Sequence, residues 1–197
     1  MDIVINSLSK KYGEKEVIKN FSARIKDGSV LSVMAPSGGG KTTLLRILAG
    51  LETADKGYIE GLENKKVSMV FQEDRLCNDL NAITNIRIIC GKKNNGPKGI
   101  TDSRIYDELE KAGLKGNEKY PVRELSGGMR RRIAIVRALM ADYDILILDE
   151  PFAGLDWENK KRMADYIKEK SKGKTVILVT HDKAEAEIMG GEILNLK

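Results

Sequence analysis

The chain has 197 residues, of which 32% are charged, and a formal net charge of +5 at pH 7. This length supports one domain with a hydrophobic core. So mild a basic excess is typical of a solvated surface, with attraction to nucleic acid or an anionic membrane leaflet as the alternative. No stretch approaches the roughly 20 apolar residues that span a bilayer, and the N-terminus lacks the apolar segment of a signal peptide. We therefore expect any membrane role to be peripheral. Cys77 and Cys90 lack metal-ligand spacing, so we expect structural thiols in a reducing compartment.

Apolar patterning predicts alternating strands and helices. The first predicted elements are a loosely alternating strand around Ile3, Ile5 and Leu8, a turn at 12–14, strands at 17–25 and 30–34, a helix at 42–49 and a strand at 67–71. The later ones are a helix through Ile105, Leu109 and Ala112 that stops near Gly113, a helix from Ser126, and strands at 145–148, 175–180 and 193–194. Strands that alternate with helices imply an α/β core.

The middle of the chain differs from the rest. Residues 76–125 carry few strand signals, and the polar segment 91–99 is expected to form a mobile loop. We interpret the region from about 73 to 140 as a helical insertion into the α/β core and not as an independent domain.

The segment after the strand at 30–34 has the residues of a phosphate-binding loop. It reads Ala35-Pro36-Ser37-Gly38-Gly39-Gly40-Lys41-Thr42-Thr43 and fits G-x-x-x-x-G-K-[ST] except that Ala35 replaces the first Gly. Glycines let successive N–H groups turn inward, and the following helix directs its positive end at the same anion. Lys41 adds charge for the β- and γ-phosphates, and the Thr42 hydroxyl can ligate Mg²⁺. The competing interpretation is a flexible glycine turn beside a surface lysine.

An acidic pair follows the apolar strand at 145–148. Because ligands bind at the carboxyl ends of parallel strands, Asp149 is placed to hold Mg²⁺ directly or through water. Glu150 points differently and can polarise a water for attack on a γ-phosphate. Taken alone, such a pair would more often be a solvated strand end.

A further motif identifies the family that the chain resembles. Leu125-Ser126-Gly127-Gly128-Met129 resembles the LSGGQ signature of ABC ATPases, with Met129 in place of the glutamine. Other matches occur in the family's order: Tyr12 resembles the A-loop aromatic, Gln72 the Q-loop glutamine, Ala153-Gly154-Leu155-Asp156 the D-loop and His181 the H-loop switch residue. The resemblance covers nearly the whole chain.

The resemblance implies one ABC ATPase domain over 1–197. Its α/β fold would be a P-loop NTPase core with a mainly parallel sheet, an antiparallel β subdomain and the inserted helical subdomain. The cofactors would be ATP and Mg²⁺, with Thr42, Gln72 and Asp149 as metal ligands and Glu150, His181 and Gln72 in catalysis. The nucleotide-binding set would be Tyr12, Ser37, Gly38, Gly39, Gly40, Lys41, Thr42, Thr43, Ser126, Gly127, Gly128 and Asp156.

The signature residues suggest that two chains share the nucleotide. Ser126 is a helix N-cap residue before two glycines, which makes a second anion site. The resemblance implies that the signature of one subunit closes over ATP held by the P-loop of the other, in a homodimer or pseudo-dimer. For Tyr12 the alternative is a core or surface tyrosine, for His181 a structural histidine, and for Asp156 a simple helix cap.

The function implied is ATP hydrolysis that powers transport by a membrane permease, from the cytoplasmic face of the membrane. ABC-type ATPases that act on DNA separate the P-loop and signature by a long coiled coil, which this chain lacks, so we expect no nucleic acid partner. The region 70–76 resembles that of bacterial nitrate, sulfonate, taurine or thiamine-precursor importers. Import is therefore favoured, with an exporter, lipoprotein-release or cell-division complex as the alternative.

Overall fold

A computed structural model describes residues 1–34, 38–89 and 100–196. The predictions made for Ala35, Ser37, Cys90 and the loop at 91–99 lie outside these residues. The chain divides into two compact units. The first comprises 1–69, 143–150 and 171–197, and the second comprises 70–142 and 151–170.

An antiparallel sheet begins the first unit. Strands β1 (Ile3–Tyr12), β2 (Lys15–Ile25) and β4 (Lys56–Glu60) pair in the order β2-β1-β4. The predicted alternation in β1 is confirmed, since Ile3, Ile5 and Leu8 are buried. The turn after Tyr12 closes the β1–β2 hairpin, in which Tyr12 pairs with Lys15.

A five-stranded sheet forms the centre of the α/β fold, as predicted. Its strands are β3 (Val30–Met34), β5 (Val67–Val70), β6 (Ile145–Asp149), β7 (Thr175–Thr180) and β8 (Glu192–Asn195), in the order β5-β6-β7-β3-β8. β7 runs parallel to both β6 and β3, and β8 runs parallel to β3. The register pairs Asp149 with Val179 and Met34 with Thr180. Three carboxyl ends therefore lie side by side at one edge of the sheet.

The described part of the first unit contains two helices, α1 (Lys41–Leu48) and α6 (Lys183–Met189). α1 buries Leu44, Leu45 and Leu48 in the same hydrophobic cluster as Leu31 and Val33 of β3. This packing fixes the start of α1 directly after the glycine-rich loop.

The described part of the second unit is mainly helical. It contains α2 (Ala82–Ile89), α3 (Asp102–Lys111), a 3₁₀ turn (Val122–Glu124), α4 (Gly127–Leu139) and α5 (Trp157–Lys170). The buried Glu108 carboxylate of α3 accepts hydrogen bonds from the Tyr166 hydroxyl at 2.7 Å and from Lys170 Nζ at 2.6 Å. Both donors lie on α5, so this polar cluster ties α3 to α5. Among the described residues, none of the helices has the length and apolar character needed to cross a membrane.

Candidate functional site

Two glycines of the described residues before α1 have backbone angles that favour glycine. Gly38 and Gly40 have φ angles of +78° and +79°. A Cβ atom on Gly40 would lie 2.1 Å from the carbonyl oxygen of Val17 in β2. Gly40 is also the N-cap residue of α1, and it offers no side-chain cap to the first N–H groups of the helix. A helix start with glycine in place of a side-chain cap is typical of anion-binding loops.

Lys41 and Thr42 open α1 and face the two acidic residues at the end of β6. The Thr42 hydroxyl donates a hydrogen bond to Asp149 Oδ2 at 3.0 Å. Lys41 Nζ lies 3.8 Å from Glu150 Oε1. Asp149 and Lys41 are both buried. These distances bring the four residues together at the carboxyl end of β6.

Glu150 is held in a strained backbone conformation. Its φ is +48°, which is rare for a residue with a Cβ and costs on the order of 1–3 kcal/mol. Its N–H donates to the Val179 carbonyl at 2.9 Å, which fixes the turn at the end of β6. Such strain is concentrated at functional sites.

His181 follows β7 and contacts the same carboxylate. Its Nδ1 lies 3.0 and 2.9 Å from the two carboxylate oxygens of Glu150. Since an ionised carboxylate only accepts hydrogen bonds, Nδ1 carries the proton. The hydrogen bond that Glu150 accepts from His181, together with the negative charge of Glu150, raises the pKa of His181 above its usual value. The His181 side chain remains exposed to solvent, so its other nitrogen is accessible.

Tyr12 ends β1 with its ring half exposed. Its hydroxyl donates a short hydrogen bond to Glu52, which also lies 3.5 Å from Lys10 Nζ. The Lys10 ammonium is 5.6 Å from the centre of the Tyr12 ring. Sequence reasoning missed Glu52 because an isolated acidic residue in a turn carries no motif.

The signature residues lie in the second unit and open α4. Ser126 is the N-cap, and its Oγ accepts a hydrogen bond from the Met129 N–H at 3.2 Å. A Cβ atom on Gly128 would lie 3.2 Å from Leu155 Cδ2 and 3.5 Å from the Gly154 carbonyl oxygen. The signature backbone therefore packs closely on the 153–156 turn.

These two segments line an open cleft of about 550 Å³ within the second unit. The cleft is lined by Gln72, Asp74, Ser126, Gly127, Gly128, Arg131, Arg132, Ala153, Gly154, Leu155, Asp156 and Asn159. Its lining carries both signs of charge: Arg131, Arg132 and the N-terminus of α4 are positive, and Asp74 and Asp156 are negative.

Asp156 caps the helix that follows it. Its two oxygens accept hydrogen bonds from the backbone N–H and the side-chain amide of Asn159, each at 2.8 Å. The backbone hydrogen bond is the largest cause of the lowered pKa of Asp156. The structure therefore gives Asp156 the helix-capping task that was the competing interpretation.

The predicted site residues form two groups. Tyr12, Gly38, Gly39, Gly40, Lys41, Thr42, Thr43, Asp149, Glu150 and His181 belong to the first unit, and Gln72, Ser126, Gly127, Gly128 and Asp156 belong to the second. Sequence reasoning missed Arg131, which is buried in α4 and bonded to the Gln72 backbone. The run Arg130-Arg131-Arg132 was its only signal, and a charge run usually marks a solvated surface.

Comparison with known proteins shows which family the sequence matches. The sequence pattern of the family described as ABC transporter matches residues 18–153. A sulfate/thiosulfate import ATP-binding protein of Neisseria meningitidis is 36% identical over 208 residues, which cover 98% of this chain and 58% of that protein. A spermidine/putrescine import ATP-binding protein of Bacteroides fragilis is 37% identical over 203 residues, which cover 98% of this chain and 44% of that protein. The chain thus spans about half the length of these curated relatives.

A solved structure matches the chain over nearly its whole length. It is a dimeric ATP-binding cassette in a post-hydrolysis state bound to ADP and Pi, with a TM-score of 0.85 and 30% sequence identity. The match covers 99% of this chain and 94% of that one. The two curated relatives are named for sulfate/thiosulfate and spermidine/putrescine, so they support the family and not specifically the nitrate, sulfonate or taurine group.

Proposed function

Because this chain belongs to the ABC transporter family, we propose that it is an ATPase subunit that powers solute import by a partner membrane permease. The observation that carries the proposal is the cluster at the carboxyl ends of β3, β6 and β7. There a glycine-lined helix start, a buried lysine, two carboxylates and a histidine converge within hydrogen-bonding or ion-pairing distance. The relatives are named ATP-binding proteins, which supports the same conclusion.

The donor set of this cluster fits Mg²⁺. Thr42 Oγ1 and Asp149 Oδ2 are hard oxygen atoms 3.0 Å apart. Mg²⁺ is usually held by one or two such protein ligands, with waters and substrate phosphates completing the octahedron. Thr42 and Asp149 would hold the ion, with the Gln72 amide as a further ligand. When bound, Mg²⁺ offsets the negative charge of the phosphates.

The other residues of the cluster have distinct tasks in the proposed reaction. Lys41 and the N–H groups of the glycine loop bind the β- and γ-phosphates. Glu150 orients and polarises the attacking water. His181 donates a hydrogen bond from Nε2 to the γ-phosphate, and the contact of Nδ1 with Glu150 orients the ring for this. The Tyr12 ring stacks on adenine, anchored through its hydroxyl by Glu52.

The cleft of the second unit is proposed to bind the nucleotide of a second copy. Ser126, Gly127 and Gly128 present a helix N-terminus there, and Asp156 shapes the facing turn. Two such copies would hold two ATP molecules between them. The dimeric state of the solved cassette, which carries ADP and Pi, supports this arrangement.

We place the protein on the cytoplasmic face of the cell membrane as one ABC domain over 1–197. Its helical subdomain, about 73–140, would dock on the permease over the region 72–125. The import names of the relatives favour import over an exporter, lipoprotein-release or cell-division complex. The narrower likeness of 70–76 to nitrate, sulfonate or taurine importers stays a prediction, and the permease that copurifies with the chain tests it.

The experiment that tests ATP hydrolysis is the substitution Lys41→Ala. Turnover of MgATP should be almost lost while circular dichroism shows an unchanged fold. Lys19→Ala, which removes an exposed lysine of β2 in the same unit, is the matched control and should hydrolyse ATP normally. Turnover by Lys41→Ala within a few-fold of the wild type would refute the proposed phosphate site.

A further inference from the structure

Arg131 is a buried cation that joins three segments of the second unit. It lies on α4 and is only 3% exposed. Its Nε donates to the Pro151 carbonyl at 3.0 Å, and its Nη1 donates to the Phe71 carbonyl at 2.6 Å. Nη1 also lies 3.2 Å from both the Gln72 carbonyl oxygen and Asp74 Oδ1. One guanidinium thus binds the chain on either side of Gln72 and the turn after Glu150.

Burial of this charge requires a compensating arrangement. An arginine taken out of water is costly unless its N–H groups are paired. Burial therefore gives no reason for an arginine at position 131, whereas four acceptors from two other segments do.

Two of the acceptors on the Gln72 segment, those of Phe71 and Gln72, are backbone carbonyls. Gln72 follows β5, where the ladder of sheet hydrogen bonds has ended, so its carbonyl needs another partner. Arg131 supplies it and leaves the Gln72 side chain exposed at the cleft that Ser126 and Gly128 also line. Arg131 thereby fixes the position of the backbone from which the Gln72 side chain extends.

A second arginine of α4 holds the next part of the same loop. Arg137 Nη2 donates to the Asp74 carbonyl at 3.0 Å, and its Nη1 donates to the Arg75 carbonyl at 2.9 Å. The Arg75 guanidinium in turn stacks 3.8 Å from the centre of the Phe71 ring. The loop 71–75 is therefore bound along its backbone by side chains of a single helix.

We propose that Arg131 is a positioning residue that fixes the 71–74 loop to α4, the helix capped by Ser126, so that Gln72 and Ser126 keep a fixed spacing. A ligand that engages one of them then moves the other with it. A guanidinium suits this task because its rigid fork bonds several acceptors at once, whereas a lysine ammonium is a flexible point charge. The inference rests on the proposed function in assuming that Gln72 and Ser126 act in ATP hydrolysis.

The test compares Arg131→Met with Arg162→Met, which removes an exposed arginine of α5 in the same unit. Arg131→Met should lower kcat about 10- to 100-fold, the size expected when a catalytic group is misplaced by about 1 Å. The Kd for ATP should stay within about twofold, because Lys41 and the glycine loop that are proposed to bind the phosphates are unchanged. Arg162→Met should match the wild type. An unchanged kcat in Arg131→Met would overturn the inference.

A double-mutant cycle separates positioning from general destabilisation. In a Gln72→Ala background, Arg131→Met should cost less than about threefold in kcat, since the group it positions is already gone. If the fold losses in kcat of the two single variants multiply in the double variant, Arg131 does not act through Gln72. Should Arg131→Met fail to fold, Arg131→Lys keeps the charge and takes its place in the same cycle.

Amide hydrogen exchange gives a readout that is independent of ATP hydrolysis. Arg131→Lys should speed exchange in the 71–75 loop more than in α5, whereas equal protection in variant and wild type would overturn the inference. If the wild-type protein failed to hydrolyse ATP, the proposed function would fall while this loop measurement still decided the role of Arg131. If hydrolysis were normal and the cycle fully multiplicative, only the inference would fall.

Discussion

Replacement of Glu150 by Gln removes one negative charge and keeps the shape of the side chain. Glu150 contacts His181 and Lys41 and has a side chain only 13% exposed, so it acts in a largely enclosed space. If its carboxylate polarises the attacking water, hydrolysis should fall by about 10²–10⁴-fold, or about 3–5 kcal/mol of activation free energy. ATP binding should survive, because Thr42, Asp149 and the glycine loop are untouched. Loss of the carboxylate also removes a competitor for the Lys41 ammonium.

Two measurements follow this variant. Phosphate release under saturating MgATP gives the turnover, and size-exclusion chromatography with and without MgATP gives the oligomeric state. The slowly hydrolysing variant should accumulate as a dimer with ATP and remain mostly monomeric without it. Glu192→Gln, which alters an exposed carboxylate of β8, should behave as the wild type. Wild-type turnover by Glu150→Gln would remove this residue from the mechanism.

Further substitutions test the adenine contact and the altered signature. Tyr12→Ala should weaken ATP binding by about 1–2 kcal/mol through lost stacking, measured by calorimetry. Tyr12→Phe keeps the ring, loses only the bond to Glu52 and should bind nearly normally; equal affinity of all three proteins would return Tyr12 to a structural role. Met129→Gln should change turnover by less than about threefold, because the N–H of residue 129, not its side chain, bonds Ser126. A large gain in turnover would show that Met129 impairs the enzyme.

The parallel strands and the site at their ends were predictable because their signals are local. The segments at 145–148 and 175–180 are continuously apolar, as strands buried on both faces must be. In the structure all four residues from Ile145 to Leu148 are buried. The residue that follows such a strand is delivered to the sheet edge whatever the remaining chain does. Motif and strand together therefore located Asp149 and Glu150.

Elements whose stability depends on distant partners were missed. α5 is dominated by charged residues, and its buried Met163, Ala164, Tyr166 and Ile167 are confined to 163–167. β4 is short and contains Gly57, a residue that usually weakens strands. The structure explains this glycine, since a Cβ atom there would lie 2.3 Å from the Asn6 carbonyl oxygen in β1. Such a close approach of two strands is visible only after folding.

The site residues missed by sequence reasoning share the same cause. Arg131 matters through bonds to the carbonyl oxygens of Phe71 and Gln72, 60 and 59 positions earlier in the chain, and backbone acceptors carry no residue identity. Glu52 lies 40 positions from Tyr12 in a turn without a motif. Likewise the positive φ of Glu150 cannot be predicted from the sequence, because glutamate normally avoids that conformation. Long-range polar contacts and local strain were therefore beyond prediction.

The single histidine of the chain makes the proposed Glu150–His181 pair directly measurable. The hydrogen bond and charge of Glu150 raise the pKa of His181 above 6.5, Glu185 adds to the rise, and burial and Lys41 oppose it. In the Glu150→Gln variant the largest cause is gone, so the pKa of His181 should fall. A proton NMR titration of the one imidazole in both proteins measures this difference without any assignment problem.

The direction in which the stability of the protein changes with pH follows from the same rise in the pKa of His181. A histidine whose pKa is higher in the folded than in the unfolded protein stabilises the fold fully below its ordinary pKa of 6.5. That contribution is lost as the pH rises through the raised folded value. The stability advantage of the wild type over Glu150→Gln, measured by urea unfolding, should therefore shrink across this window. Across the same pH range His181 should also lose its Nε2 proton, the one that it is proposed to donate in a hydrogen bond to the γ-phosphate. Identical imidazole titrations in the two proteins would show that Glu150 does not hold His181 in solution, and would remove the basis for both effects.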